Sequence, residues 1–321
     1  MDNEYRSFLS AHDWSFGDLI PISPDASNRR YFRIVGPDGS AILMDAKRES
    51  LQSFDSFQKI SKYLNDIGLS APKIFATDRA EKLMLIQDLG ERTFAQDFAL
   101  DKTLEAERYT AAISMLCHLQ NAKGITLPVA TPKSLVDMLN PFFQVPEVAA
   151  CTDKNQSKLQ TQLYDLFDSA LTHNTCFSLR DCHVENLIWM ANTQNVSRVG
   201  ILDFQDAFNC DPCYDLVSLL WDVRRDLDTK LREKLLNTYA DEKGINPLQL
   251  IPSINALKLQ RNLRILGIFD RLIDQGKTKY SAFIPRTLNY IHQTLETGDY
   301  NALNQDLSEP LARYANKHKA L

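Results

Sequence analysis

Three oxygen-bearing side chains, Asp181, Asn186 and Asp203, have the types and spacing needed for a chemical reaction. Asn186 follows Asp181 by five positions, and Asp203 comes directly after the apolar pair Ile201 and Leu202. Phosphoryl transfer needs a group that accepts the proton of the attacking hydroxyl, and hard oxygen ligands for Mg²⁺ beside the nucleotide phosphates. The triplet therefore predicts a magnesium-dependent phosphotransferase of the kinase type, with Asp181 as the base and Asn186 and Asp203 as metal ligands.

The segments around the triplet predict how its members are brought together. Residues 187–190 and 198–202 are apolar runs on either side of a polar turn, which is the pattern of a β-hairpin. Because the two ends of a hairpin lie side by side, Asn186 and Asp203 are expected to be neighbours, with Asp181 on the loop that leads in. Taken alone, Asp181 could be a helix cap or a turn residue. The functional interpretation therefore depends on the predicted hairpin, which places Asn186 and Asp203 in register with Asp181.

The hydrophobic pattern changes along the chain from strand-like alternation to helical periodicity. It predicts a small antiparallel-sheet lobe over residues 1–88 and a larger, mostly helical lobe over 89–321. In the first, residues 30–35 and 40–45 form a hairpin across a Gly-Pro-Asp-Gly turn, followed by a helix over 51–67. Further strands are predicted over 73–76 and 82–87. Helices of the second region are predicted over 104–121, 135–143, 157–172, 214–225, 228–241, 248–275 and 284–296.

Composition bounds the class of protein. The 321 residues carry a net charge of −5, which argues against nucleic-acid and anionic-membrane partners because those require clustered cations. No apolar run has the length of a signal peptide or a membrane span, so we expect a cytoplasmic protein. The six cysteines lack the spacing of a zinc site, and reduced thiols are expected. The expected partner is a small-molecule substrate, and the expected state is a monomer or weak dimer.

In the segment that carries Asp181, Asn186 and Asp203, the chain resembles the aminoglycoside phosphotransferase and choline kinase group of small-molecule kinases. Residues 179–181 with Asn186 stand where the group has His-Gly-Asp or His-Arg-Asp and a following Asn. Asp203 stands at the group's metal-binding Asp, and residues 211–216 match its Asp-Pro-x-x-Asp-Leu segment. The resemblance covers nearly the whole chain. It implies an α+β, bilobal protein-kinase-like fold, with residues 1–88 binding nucleotide and 89–321 carrying catalysis and substrate, and with ATP and Mg²⁺ as cofactors.

Segments 25–33, 44–46, 203–207 and 260–269 are more narrowly similar to the bacterial N-acetylmuramate/N-acetylglucosamine anomeric kinases of cell-wall recycling. That similarity implies phosphorylation of the anomeric hydroxyl of the amino sugar. A kinase for an aminoglycoside, a choline-like amino alcohol or another metabolite hydroxyl is the alternative. A nucleotide-binding pseudokinase with a regulatory role is a second alternative, because residues 41–45 lack the lysine usual on the third strand and no glycine-rich phosphate loop occurs.

The segment at the start of the first predicted hairpin supplies candidate donors for the nucleotide phosphates in Ser27, Asn28, Arg29, Arg30 and Arg33. Arginine suits phosphate oxygens because its guanidinium donates in a planar fork. Strand alternation places Arg29 and Arg33 on one face and Arg30 on the other, and Arg30 is the arginine that we favour. A location on a solvated strand face is the alternative for each arginine.

The adenine is expected to bind backbone groups at the lobe connection, at Gln87, Asp88 and Leu89. Arg261 and Arg264 lie three positions apart, and hence on one helix face, where they could bind a substrate carboxylate. A solvated basic stripe is the alternative for this pair. Asp206, close to Asp203 in sequence, is expected to support the site on the acceptor side.

Overall fold

The computed structural model describes residues 2–14, 18–22, 28–36, 39–152, 155–172, 174–297 and 300–318. The chain divides into two compact units, Met1–Thr126 with Leu179–Ala207, and Leu127–Ser178 with Phe208–Leu321. The first unit therefore extends beyond the boundary predicted at residue 88 and includes the segment that carries the triplet. Backbone pairing accounts for this inclusion, since the amide of Ile201 donates to the carbonyl of Ser70 at 2.7 Å.

The first unit is built on a five-stranded sheet in the order β1-β2-β3-β5-β4, with all neighbouring strands antiparallel. The predicted first hairpin forms in the expected register, with Arg30 opposite Asp45 and Gly36 opposite Gly39. Its turn residues Pro37 and Asp38 lie outside the described residues. The strands are β1 Ile20–Ile22, β2 Arg30–Gly36, β3 Gly39–Asp45, β4 Ile74–Asp78 and β5 Leu83–Gln87.

One face of this sheet carries its apolar core. Alternate residues of the central strands, including Ile34, Leu43 and Leu85, are buried against Tyr5 and Phe8. Tyr5 and Phe8 belong to helix α1, Asp2–Ser10, which had not been predicted. This helix removes one face of the sheet from water, so chemistry on β2 must use the opposite face.

The rest of the first unit supports the triplet segment. The helices are α2 Leu51–Asp66, α3 Phe94–Leu100 and α4 Glu105–Asn121. Strands β7 Leu187–Trp189 and β8 Val199–Ile201 form the predicted second hairpin. The ring of Phe204 packs 4.8 Å from that of Phe57 on α2, and this contact fixes the chain directly after Asp203.

The second unit is mostly helical, and its strands β6 Cys176–Ser178 and β9 Phe208–Cys210 form an antiparallel pair. The long helix α11 runs through its core, and a Cβ atom at Gly267 would lie only 2.1 Å from the backbone of Pro141. Glycine at this position therefore permits close packing. The helices are α5 Pro132–Asp137, α6 Asn140–Phe143, α7 Pro146–Thr152, α8 Gln156–Ala170, α9 Cys213–Leu220, α10 Thr229–Lys243, α11 Ile251–Asp274, α12 Ile284–Thr297 and α13 Asn301–His318.

Several predicted elements differ from the structure in their bounds. The helix predicted over 135–143 is two short helices, α5 and α6, with proline at the start of each. The helix predicted over 214–225 ends earlier, at Leu220. The elements α3, α7, α13, β1, β6 and β9 were not predicted. All six cysteines are free thiols, and none of the described helices is long and apolar enough to cross a membrane.

Candidate active site

The loop that carries Asp181 is held by its own backbone. Arg180 has a left-handed backbone, with φ 75°, which is uncommon outside glycine and typical of constrained functional loops. The carbonyl of Asp181 accepts hydrogen bonds from the amide of His183 at 3.1 Å and from Asn186 Nδ2 at 2.9 Å. These bonds orient the Asn186 amide so that its nitrogen is engaged by protein and its oxygen can serve as a ligand.

The second hairpin brings Asn186 and Asp203 together, as the pattern predicted. Leu187 pairs with Ile201, and the amide of Leu202 donates to the carbonyl of Asn186 at 2.9 Å. Asp203 follows immediately, again with a left-handed backbone, φ 55°. Two strained non-glycine residues thus lie at the two ends of the segment that holds the triplet.

Asp203 is surrounded by charge. Its carboxylate accepts a hydrogen bond from Gln205 Nε2 at 2.8 Å and lies 3.8 Å from Arg29 Nη1. The Asp203 side chain keeps 46% of its surface exposed, so desolvation by the surrounding protein is only partial. This partial desolvation raises the pKa of Asp203, the negative charges of Asp181 and Asp206 raise it further, and Gln205 and Arg29 partly oppose the rise. Negative charge accumulated in this way is relieved by a bound cation, so this arrangement suits a divalent metal ion.

Arg29 is the arginine of the first hairpin that lies near this charge. The residue is only 4% exposed, and its Nη2 donates to Ser53 Oγ in the first turn of α2 at 2.8 Å. Nearby Tyr31, on the same face of the hairpin, has a pKa raised by burial. A buried guanidinium between a helix hydroxyl and Asp203 is well placed to contact phosphate oxygens.

Arg30, the residue favoured by the sequence, is located on the other face of the sheet. Its guanidinium pairs with the buried carboxylate of Asp45 and lies 5.9 Å from the ring centre of Tyr5, under α1. The Tyr5 hydroxyl also donates a hydrogen bond to Asp45, so polar contacts on this face attach α1 to the sheet. Asn28 is exposed, and Ser27 lies outside the described residues.

A pocket of about 530 Å³ opens beside the segment that follows β5, where the sequence predicted the connection between the lobes. Asp88 and Leu89, two of the residues predicted to hold adenine, are among its lining residues, with Arg33, Trp189 and Met190. Arg33 binds Asp88 through both Nε, at 2.6 Å, and Nη2, at 3.1 Å. Burial works against the charge of Asp88, but hydrogen bonds from Arg33 and Ser40 hold its pKa below the usual value.

Gln87, the third predicted adenine residue, ends β5. The backbone N–H of Gln87 donates to the carbonyl of Lys73 at 2.7 Å, and its side-chain Oε1 accepts from the backbone N–H of Lys73 at 3.4 Å. Gln87 is therefore held to the neighbouring chain segment. Asp206 is exposed and accepts a long hydrogen bond from Gln205 at 3.4 Å.

The predicted substrate arginines lie on α11 in the second unit. Arg261 is buried, donates to Ser218 Oγ at 2.7 Å and lies 4.9 Å from the ring centre of Tyr214. Arg264 is half-buried. Arg261 is thus integrated into the packing of α11 against α9.

The two aspartates of the Asp-Pro-x-x-Asp-Leu segment are buried and structural. Asp211 accepts from the amide of Cys213 at 2.8 Å, from that of Thr172 at 2.9 Å and from Ser253 Oγ at 2.9 Å. Asp215 is fully buried and accepts from Ser178 Oγ at 3.0 Å. Asp215 therefore anchors β6, the strand that leads into the Asp181 loop.

The chain is similar to known proteins over most of its length. A family model described as phosphotransferase enzyme family matches residues 18–250. A relative from Caulobacter vibrioides, named N-acetylmuramate/N-acetylglucosamine kinase, is 32% identical over 89% of this chain and 90% of its own. A relative of the same name from Neisseria meningitidis is 30% identical over 86% of this chain and 85% of its own.

Among solved structures, the choline kinase LicA from Streptococcus pneumoniae is similar in fold. It superposes with a TM-score of 0.65 over 92% of this chain and 98% of its own, at 13% sequence identity. The predicted α+β, bilobal protein-kinase-like fold is confirmed by this similarity.

Proposed function

The chain belongs to the phosphotransferase enzyme family, and from that premise we propose that it transfers the γ-phosphoryl group of ATP to the anomeric hydroxyl of N-acetylmuramate or N-acetylglucosamine. Two relatives that match most of the chain are named N-acetylmuramate/N-acetylglucosamine kinase. The observation that carries the proposal is the joining of Asp181, Asn186 and Asp203 through the loop and the hairpin within one compact unit.

Asp181 is assigned as the general base. Hydrogen bonds from His183 and Asn186 to its backbone carbonyl hold the loop in place, and its carboxylate would accept the proton of the acceptor hydroxyl as the oxygen attacks phosphorus. His183 is a poorer candidate because it is buried, with Nε2 3.3 Å from the amide nitrogen of Asn186. Positioning and charge neutralisation supply most of the remaining catalysis in phosphoryl transfer.

Asn186 and Asp203 are assigned as the protein ligands of Mg²⁺. The donor set fits, because both offer hard oxygen atoms and Asp203 lies in an excess of negative charge. The described residues contain no group of three or more histidine, cysteine, aspartate or glutamate side chains that could hold a metal ion, so nucleotide phosphates would complete the coordination. When bound, Mg²⁺ neutralises the charge on the phosphates.

Arg29 is assigned the phosphate contact that a third-strand lysine makes in most kinases. Lys47, the lysine that follows β3, forms ion pairs with Glu4 and, at 3.2 Å, with Glu81. Arg29 instead lies beside Asp203, and its bond to Ser53 links it to α2. The pocket beside Asp88 and Leu89 would receive the nucleotide base.

Replacing Arg29 by methionine is expected to raise the KM for ATP about 10- to 100-fold, the loss typical of hydrogen bonds to charged groups. The matched control is Arg30→Met, one residue away on the opposite face. Arg30→Met should lower the melting temperature, because it strips the buried Asp45 of its cation, while the KM for ATP stays near that of the parent. Steady-state kinetics and thermal unfolding of both variants make the test. Equal effects of the two substitutions on the KM for ATP would contradict the assignment of Arg29.

The proposed function is tested by an ADP-release assay with N-acetylmuramate, N-acetylglucosamine, choline and an aminoglycoside as acceptors. Turnover of either amino sugar, with little or none of the other two, is expected, and phosphorus NMR should show the product phosphate on the anomeric oxygen. Preferential turnover of choline or the aminoglycoside would overturn the acceptor. Tight ATP binding in calorimetry without turnover of any acceptor would favour a pseudokinase.

A further inference from the structure

A network of side chains in the first unit holds the short segment that follows β5, residues 88–90, here called the connecting segment. The side chain of Asp88 is only 5% exposed, and its carboxylate accepts from Arg33 at 2.6 and 3.1 Å and from Ser40 Oγ at 2.8 Å. It also accepts from the backbone N–H of Gly90 at 3.0 Å, and the carbonyl of Gly90 accepts from Arg33 at 2.9 Å. Strands β2 and β3 are thus both bound to the connecting segment.

The connecting segment also packs on the second hairpin. A Cβ atom at Gly200, on β8, would lie 3.1 Å from Leu89 Cδ1. A Cβ atom at Gly90 would lie 3.4 Å from Ile188 Cγ2, on β7. Glycine at these two positions permits this close approach. The connecting segment is therefore held by the sheet and by the second hairpin, both of which belong to the same compact unit.

This network does not use the backbone of Leu89. Among the described residues, no hydrogen bond engages the N–H or the C=O of Leu89, although the residue is only 8% exposed. Backbone groups without a partner are uncommon in folded proteins. Leu89 lines the pocket beside the connecting segment, and adenine carries a ring nitrogen that accepts next to an amino group that donates. The backbone donor and acceptor of Leu89 therefore match the edge of this base.

We propose that Arg33 and Asp88 act as one positioning pair, which fixes the connecting segment so that the backbone of Leu89 receives the nucleotide base. The inference rests on the proposed function and deepens it, because it names the side chains that hold the base site in shape. The Asp88 carboxylate is already engaged by Arg33, Ser40 and the Gly90 amide, so it acts through the segment and not by touching the base.

The test is Arg33→Met, which keeps the length of the side chain and removes its bonds to Asp88 and Gly90. Affinity for adenosine and affinity for ATP should both fall by the same factor, about 10-fold or more, the loss typical of hydrogen bonds to charged groups. Affinity for inorganic tripolyphosphate, which has no base, should stay within about twofold of the parent value. Calorimetric titration of the parent and the variant with the three compounds measures these effects.

The reciprocal variant is Arg29→Met, on the same strand face, where the assignment is a phosphate contact. This substitution should weaken ATP and tripolyphosphate and leave the affinity for adenosine within about twofold of the parent value. If Arg33→Met showed this same pattern, with ATP weakened and adenosine unchanged, Arg33 would be a phosphate contact. That result would overturn the positioning role.

The matched control for stability is Arg30→Met, which breaks a similar pair on the other face of β2, with the buried Asp45. Both Arg30→Met and Arg33→Met leave a buried carboxylate without its arginine, so both should lower the melting temperature. Only Arg33→Met should weaken adenosine binding. Equal weakening by the two substitutions would show that adenosine binding merely follows stability. A lower melting temperature of Arg33→Met with unchanged adenosine affinity would show that the pair only supports the fold, and either result would overturn the inference.

A double-mutant cycle tests whether Arg33 and Asp88 act as a unit. Asp88→Asn keeps the shape of the side chain and removes the charge that Arg33 binds. If the two residues act together through the connecting segment, the double variant should bind adenosine within about twofold of the weaker single variant. Additive losses would mean that each residue acts separately on the base, which would overturn the pair.

The proposed function can fail separately from this inference, because the titrations need no acceptor. If the parent phosphorylates neither amino sugar but Arg33→Met weakens adenosine and ATP equally, the positioning role stands and the proposed acceptor fails. If the parent phosphorylates an amino sugar but binds ATP without measurable affinity for adenosine, the inference is overturned and the proposed function stands.

Discussion

Replacing Asp181 by asparagine is expected to lower kcat about 10²- to 10⁴-fold, the range that general-base catalysis supplies. Asparagine keeps the size and the hydrogen-bonding geometry of the loop, but its amide cannot accept the proton of the sugar hydroxyl at neutral pH. The backbone carbonyl at this position, which binds His183 and Asn186, is unaffected by the change. The KM for ATP should therefore move by no more than about twofold, because the contribution of the base appears only in the transition state.

The loss is measured by steady-state ADP release, with circular dichroism and thermal unfolding to show that the variant is folded. Asp55→Asn is the matched control, a carboxylate of the same unit in an exposed pair with Arg79. Such surface pairs contribute about 0–1 kcal/mol, so neither turnover nor stability should change much. A kcat of Asp181→Asn within tenfold of the parent would contradict the base assignment and direct attention to His183.

The spatial arrangement of Asp181, Asn186 and Asp203 could be predicted from sequence because it is local. Asn186 and Asp203 are brought together by β7 and β8, and a hairpin is specified by short-range alternation and a turn. The loop bonds of Asp181 likewise span only five residues. What the pattern could not show is the left-handed backbone at Asp203, a conformation that few non-glycine residues adopt even though aspartate is among those that tolerate it.

The choice between Arg29 and Arg30 illustrates where sequence reasoning stops. Strand alternation placed the two arginines on opposite faces, and their contacts agree, since Arg29 lies beside Asp203 and Ser53 and Arg30 lies beside Asp45 and Tyr5. Which face holds the chemistry depends on α1, a helix of only nine residues whose core side chains, among them Tyr5, pack on strands that are distant in sequence. The long-range contact of Arg29 with Ser53 could not be read from the hairpin alone.

Helix α13 and the buried position of Lys258 were missed for similar reasons. Pro310 lies inside α13, and proline normally argues against a helix interior. Lys258 is an ordinary lysine in a helical sequence, and only the packing of α9 and α10 on α11 shows that it is buried beside Trp221 and Arg232. Contacts between helices of distant sequence position depend on tertiary packing, which single-sequence patterns do not specify.

Replacing Asp203 by asparagine is expected to lower kcat/KM by about 10³-fold or more, because a metal ion that neutralises phosphate charge is worth several kcal/mol in the transition state. Asparagine is the informative substitute, since it tolerates the left-handed backbone that Asp203 adopts and keeps a side-chain oxygen to accept from Gln205. The change removes charge with little disturbance of shape. Asp66→Asn, in an exposed helix pair with Lys62, is the control and should retain full activity.

The same substitution should make the nucleotide-free protein more stable. Partial desolvation and the charges of Asp181 and Asp206 raise the pKa of Asp203 in the folded state although its side chain is 46% exposed, so folding favours its protonated form by a small margin. That stabilisation is present at acidic pH and is lost as the pH rises through the raised pKa, which leaves the ionised carboxylate as a cost at pH 7. Asp203→Asn removes this cost, and its melting temperature at pH 7 should exceed that of the parent.

Ligand binding should reverse the order of the two proteins. A ligand stabilises the state that binds it. Mg²⁺ with a non-hydrolysable ATP analogue should therefore raise the melting temperature of the parent well above its nucleotide-free value. The same ligands should raise the melting temperature of Asp203→Asn much less. The test is a set of melting curves at pH 5 and pH 7, with and without Mg²⁺ and the analogue. Without ligand, the excess in melting temperature of Asp203→Asn over the parent should be smaller at pH 5 than at pH 7. If Asp203→Asn melted below the parent without ligand yet gained as much from Mg²⁺ and the analogue, Asp203 would be a structural residue. In that case, the negative charge around it would require a different explanation from metal binding.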